Sequence, residues 1–286
     1  MNRIKKSRRQ GDSRGTRPGR GRGWKIVLAA AIFCIVPVET GWILNGVRAD
    51  AVVPIEVDAE EFRCFDIKAD VLREMGRFTE KKCRLLARQL LYGKSSVPFS
   101  FSLQLDEKVV DSYADAFATV LSDVICFPVA LDGVGGQTLS YENSWGTARN
   151  YGGDRRHEGV DIMTSNNVPG YFPAVSICDG VVEKMGWLEL GGYRIGIRSE
   201  HGMYAYYAHM DSYREGLKTG DSVRAGETLG YLGNTGYGKE GTKGKFDVHL
   251  HFGMYIDIAG EETSVNPYEI LRYLEGQDES VEGNEM

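Results

Sequence analysis

Beyond Cys126, short apolar runs are cut at close intervals by glycine-bearing turns: VSICDGVV, YRIGIRS, MYAYYAHM, TGDSVRAGETLGYLGNTG and FDVHLHFGMYIDI. Runs of that length and spacing restrict this half of the chain to a mainly β, antiparallel, sheet-rich fold. The 36 glycines of the 286 residues fit a turn-rich β protein. The last run, residues 246–257, alternates and is rich in Val, Phe, Ile and Tyr, so it reads as a strand. It carries two of the chain's five histidines, His249 and His251. Side chains two apart on a strand point to one face, with Cα atoms about 7 Å apart. Two imidazoles therefore stand side by side, either as a buried hydrogen-bonded pair or as parts of one site.

The rest of the chain divides by charge and texture. Residues 1–25 carry ten cations and one acid, a basic arm of +9; the whole chain is -6, so the remainder must carry -15. Residues 26–38 are continuously apolar, and Trp42, Ile43 and Leu44 resume the run after Glu39, Thr40 and Gly41. A basic flank before an apolar segment marks an export signal with its N-terminus inside. The uninterrupted part falls short of the roughly 20 residues of a full span. Residues 26–46 therefore read either as a signal-anchor or as a signal peptide processed after Ala49, and both place the acidic remainder outside the cytoplasm. Nucleic-acid binding is not expected: the arm stays on the cytoplasmic side and has no aromatic residue before Trp24.

Residues 50–126 read as a mostly helical stalk or N-terminal domain, opened by an exposed lead-in over 50–60. Helical periodicity runs from Asp70 to Tyr92, with a break near Gly76 and a stop at Gly93. Residues 97–105 alternate like a strand. Asp106 caps an expected helix over 107–123 with Val109, Val110, Tyr113, Phe117, Val120 and Leu121 on one face. A short helix follows Pro267, and residues 275–286 form an acidic tail expected to be disordered. Cys64, Cys83, Cys126 and Cys178 include no C-x-x-C pair, which argues against a thiolate zinc site; no disulfide is assigned, and Cys178 reads as a core residue.

The chemistry lies in three groups between residues 157 and 251: HEGVD, with His157 and Asp161; YAHM, with His209; and HLH, with His249 and His251. Imidazole and carboxylate are what catalytic zinc takes, three protein ligands with one position open. HEGVD also imitates the start of H-E-x-x-H, but its fifth residue is Asp, and Gly159 and Val160 make a poor helix, so that motif is rejected and Glu158 as general base stays only as the lesser alternative. His201 reads as an exposed turn residue. Arg149 reads either as a holder of a substrate carboxylate or as a solvated loop arginine.

H-x-x-x-D, then a histidine ending a tyrosine-rich strand, then H-x-H, in that order, resembles the lysostaphin-type (LytM-like) zinc metalloendopeptidases that hydrolyse peptidoglycan. SWGTARNYGGDRRHEGVDI, DGVV, YYAHM, GDSVRAGETLGYLGNTG and HLHFGMY carry the likeness over roughly residues 127–274. The resemblance implies one zinc ion held by His157, Asp161 and His251, with His209 and His249 as catalytic residues beside the open position. It implies an extracytoplasmic enzyme of the bacterial cell envelope, membrane-anchored through residues 26–46 or secreted, that cuts peptide bonds in cross-links or stem peptides. The rival expectation is a non-catalytic envelope scaffold or activator that keeps the fold and binds an envelope protein partner.

Overall fold

The computed structural model describes residues 59–93, 105–151, 153–258 and 260–282. The basic arm, the apolar segment 26–46 and most of the strand expected over 97–105 lie outside the described residues. Among the described residues no helix is long and apolar enough to cross a membrane.

The β-rich half folds as expected. A ten-stranded antiparallel sheet has as its main path the order β1 (Leu139–Ser140), β4 (Val160–Thr164), β11 (His249–Ile258), β8 (Tyr204–Tyr213), β7 (Gly192–Ser199), β6 (Gly180–Leu188) and β9 (Ser222–Val223). Off that path, β10 (Thr228–Leu232) pairs with both β5 (Pro173–Val175) and β8, and β12 (Glu261–Val265) pairs with β11. A separate hairpin joins β2 (Ala148–Arg149) to β3 (Arg155–Arg156). The inward residues of the long strands, among them Ile195, Ile197, Ala205, Tyr207, Leu250, Phe252 and Met254, are all fully buried, which is the period-2 alternation read from the sequence.

The N-terminal helices are α1 (Ala59–Cys64), α2 (Ala69–Met75), α3 (Glu80–Gly93) and α4 (Glu107–Leu121). The break near Gly76 and the stop at Gly93 fall where the sequence places them; α1 begins inside the expected lead-in. Asp106 caps α4, its carboxylate accepting from Lys108 N at 2.9 Å. Val110, Phe117, Val120 and Leu121 face the interior, with Val109 and Tyr113 packed at its margin. These helices are not a layer apart. Phe62, Phe65, Leu72, Leu86 and Phe117 belong to the same continuous core as Val160, Tyr207 and Phe252 of the sheet, with α4 against β11 and α1 against β12. Among the described residues no two cysteines are joined by a disulfide, and Cys178 is buried as expected.

The C-terminal helix α5 spans Tyr268–Glu282. The expectation of disorder from Glu275 is thus corrected through residue 282. Glutamate and glutamine propagate a helix already nucleated by the buried Ile270, Leu271 and Leu274, so low hydrophobicity does not end it. Residues 283–286 lie outside the described residues.

Glu269, buried on α5, performs a remote capping role. Lys68, the residue before α2, supplies no side-chain cap; the Glu269 carboxylate accepts from Ala69 N at 2.9 Å instead and lies 3.2 Å from Lys68 Nζ. An anion on the free N–H groups of a helix start is stabilising. Glu269→Ala is expected to destabilise the protein by about 1–2 kcal/mol, chiefly by orphaning that N–H, since Lys68 is largely exposed and its ion pair counts for little. Urea unfolding together with amide exchange over residues 69–75 reads this; unchanged exchange there would rule out the capping role.

Candidate metal centre and active site

Strand pairing assembles the site. On β11, His251 pairs directly across from Asp161 of β4 on one side and Ala208 of β8 on the other, and His249 pairs with Met163. His157 stands just before β4, its N–H donating to Thr147 O at 2.9 Å. The register thus turns three stretches distant in sequence into neighbours on one face.

His157 Nε2, Asp161 Oδ1 and His251 Nδ1 converge. They lie 2.8 Å apart for the two nitrogens, and 3.1 Å for each nitrogen to the oxygen. A triangle of that size has a point about 2 Å from all three corners, the length of a zinc bond to nitrogen or carboxylate oxygen. The donor set therefore fits a zinc ion, and it is the one cluster of three or more potential metal-binding groups among the described residues. Gly159 is needed here: a Cβ on it would stand 2.8 Å from His251 Cε1 and 2.5 Å from Phe252 O, so any side chain would displace the ring.

Charge agrees with geometry. Burial would raise the Asp161 carboxyl, but the His157 and His251 imidazoles against it outweigh that and hold the group well below the usual carboxylate range. Burial pushes His251, His249 and His209 below the usual imidazole value, so all three are neutral near pH 7 with a lone pair free.

His249 and His209 share the second half of the site, ring centres 4.8 Å apart. His249 Nδ1 lies 2.8 Å from Asp247 O, and His209 Nδ1 lies 2.8 Å from Thr235 O. A carbonyl only accepts, so both Nδ1 atoms carry the proton and both Nε2 atoms are left as bases. His249 Nε2 sits 3.8 Å from Asp161 Oδ1, outside the close triangle.

His209 reaches the site through a β-bulge. Tyr193 pairs with Met210 and Ile195 with Tyr207, so Arg194 alone opposes both Ala208 and His209. His209 takes φ +62°, rare for a residue with a side chain, and its N–H turns to Gly191 O at 2.7 Å. The alternation that sends Tyr207 into the core would otherwise bring His209 after it.

The site opens into a groove of about 940 Å³ floored by Tyr204, Tyr206 and Tyr255 and walled by Arg149, Arg155 and Tyr237. Arg149 is part-buried and already engaged within the site: its Nη2 donates to Asp161 Oδ2 at 2.7 Å and approaches His157 Nδ1 at 2.8 Å. With His157 Nδ1 protonated toward Ser144 O at 3.1 Å, the Asp161 contact is the bond that counts. Arg149 thus orients the Asp161 carboxylate, a role invisible to sequence spacing. Glu158 lies on the groove wall, its carboxylate accepting from Tyr255 Oη at 3.3 Å. His201 lies away from the groove, its side chain half exposed and its Nδ1 2.7 Å from Asp123.

The sequence profile of peptidase family M23 matches residues 155–267, the stretch that holds all five of these site residues. The crystal structure of a Ruminococcus gnavus protein assigned as a glycyl-glycine endopeptidase LytM superposes with a TM-score of 0.64 at 39% identity, covering 79% of this chain and 94% of that one. The chain belongs to peptidase family M23. Within that family it is 47% identical over 136 residues to the L-Ala–D-Glu endopeptidase of Bacillus subtilis and 30% identical over 118 residues to lysostaphin of Staphylococcus staphylolyticus. Those alignments take in 48% and 41% of this chain, but 40% and 22% of the relatives' own lengths.

Proposed function

We propose that the protein is a zinc metalloendopeptidase that hydrolyses peptide bonds in peptidoglycan cross-links or stem peptides. The observation that carries this reading is the triangle of His157, Asp161 and His251 with two neutral imidazoles, His209 and His249, facing the same groove. When bound, zinc supplies a Lewis acid and lowers the pKa of a water to near 7. The chain's own residues do the rest. His157, Asp161 and His251 hold the ion, and Arg149 keeps the Asp161 carboxylate turned toward it. The Nε2 atoms of His209 and His249 take a proton from the attacking water, donate to the oxyanion of the tetrahedral carbon and return a proton to the leaving amine. The tyrosine-floored groove seats an extended peptide.

The name of the 47% identical Bacillus relative makes the L-Ala–D-Glu bond of the stem the first to test, and that of lysostaphin keeps a glycine bridge on the panel. The basic arm and residues 26–46 support delivery outside the cytoplasm, by signal-anchor or by secretion, and residues 127–274 are the proposed catalytic portion. The test is a digestion by the full chain of purified peptidoglycans of several cross-link types, with new amine termini read by mass spectrometry. Cleavage is expected to stop with a chelator and return with zinc. Chelator-resistant cleavage would refute the metal reading. Intact peptidoglycan after exposure to folded, zinc-loaded protein would move the reading to a scaffold that keeps the peptidase fold.

A further inference from the structure

We propose that Arg194 is a carboxylate-binding residue of the groove, selecting peptides that carry a free carboxylate beside the scissile bond over glycine bridges. The proposal rests on the endopeptidase reading above and adds a determinant of specificity to it. Arg194 lies on β7 directly opposite the bulge that carries Ala208 and His209, and it lines the groove beside Tyr204 and Tyr206. On its other flank its strand partner is Gly186 of β6, where even a Cβ would meet nothing within 4 Å. Arg194 thus stands on the strand facing the bulge of the proposed catalytic imidazole, with open space over Gly186 on its other flank.

The other cations of the groove are engaged. Arg149 is bound to Asp161, Arg156 lies 3.7 Å from Glu60, Lys184 lies 3.7 Å from Glu183, and Arg155 Nε donates to Tyr151 O at 3.2 Å. Among the described residues Arg194 has no carboxylate partner, and its Nε and Nη1 are buried without any acceptor. Arg149 and Arg214 also have a buried Nε without a partner, but each keeps an ion pair, with Asp161 and with Glu227. Burial pushes the Tyr204 and Tyr206 phenols up to about 12 despite the neighbouring Arg194 charge, so neither becomes a counter-ion at neutral pH. A guanidinium never loses its charge in a protein, and buried N–H groups without acceptors are costly. Charge-assisted hydrogen bonds to a carboxylate are among the strongest that a guanidinium makes. A substrate carboxylate in the groove would accept from Nη2, the guanidinium nitrogen that is not shut off from solvent, and would supply the counter-charge that the fold leaves out.

The experiment compares two peptides with the full, zinc-loaded chain: one containing L-Ala–D-Glu with its free carboxylate, and its counterpart with that carboxylate amidated. The wild type is expected to favour the acid at least tenfold in kcat/KM. In Arg194→Gln the acid-to-amide ratio should fall to near one, with zinc content unchanged; Arg194→Lys should keep an intermediate ratio, having the charge without the guanidinium. A wild type that does not discriminate, or a variant whose ratio is unchanged while both rates fall, overturns the proposal and leaves the endopeptidase reading standing. If the wild type cuts neither peptide, that reading fails for this bond, and calorimetric binding of the same two peptides decides about Arg194. Tenfold tighter binding of the acid, lost in Arg194→Gln, upholds the proposal; equal or no binding overturns it.

Discussion

His251→Ala is expected to lose zinc, whereas His249→Ala should keep zinc and lose cleavage. The two imidazoles sit one residue apart on the same strand face, so neither sequence proximity nor burial separates them; the atoms they present do. His251 Nδ1 is 2.8 Å from His157 Nε2 and 3.1 Å from Asp161 Oδ1, inside the triangle that fits an ion. His249 Nε2 is 3.8 Å from the same oxygen, and its other nitrogen is fixed on Asp247 O. Removing His251 leaves two donors, too few for a closed grip on zinc. Removing His249 leaves all three and deletes one proton carrier, a loss of roughly 10²- to 10⁴-fold in rate. His209→Ala should behave as His249→Ala does. Metal content after exhaustive dialysis, set against cleavage rate for each variant, decides the matter. Bound zinc in both His249→Ala and His251→Ala would mean that the ligands are wrongly assigned.

Periodicity and local motif carried the grouping of these residues, while the proposed division of labour among them came only from the family resemblance. Period-2 alternation placed His249 and His251 on one face, and the H-x-x-x-D spacing put His157 beside the strand that pairs with them. What they did not carry depends on register between distant strands. That Asp161 stands across from His251 follows from the β4–β11 pairing. His209 faces the groove only because a bulge and a positive φ interrupt the alternation of β8, and a regular reading of YAYYAHM would place it on the other face from its partners. Arg149 was legible as a charged residue near the first motif, but its bond to Asp161 needs the β2–β3 hairpin folded over the site. The capping of α2 by Glu269 joins residues 200 apart in sequence, beyond any local signal. The acidic tail misled because composition predicts disorder only when nothing upstream has nucleated a helix.

Phe117→Ala is expected to destabilise the whole described fold by about 3–5 kcal/mol, the usual cost of emptying a buried aromatic site. Phe117 is 2% exposed on α4 and packs edge-on against Phe62 of α1, ring centres 4.9 Å apart, and against Phe65 at 5.9 Å. It therefore ties two helices to each other and, through α4 against β11, to the strand that bears His249 and His251. Because core residues run without interruption from these helices into the sheet, the helical signal and the sheet signal should be lost in one transition in both proteins, at a lower urea concentration in the variant. The proposed zinc site should be lost in that same transition, since β11 carries both His251, the proposed ligand, and His249, the proposed catalytic imidazole. Far-UV circular dichroism, tyrosine fluorescence and zinc release followed along one urea series test this. If the helices melted first while zinc stayed bound, residues 59–121 would be a separable layer, and the catalytic sheet would stand without them.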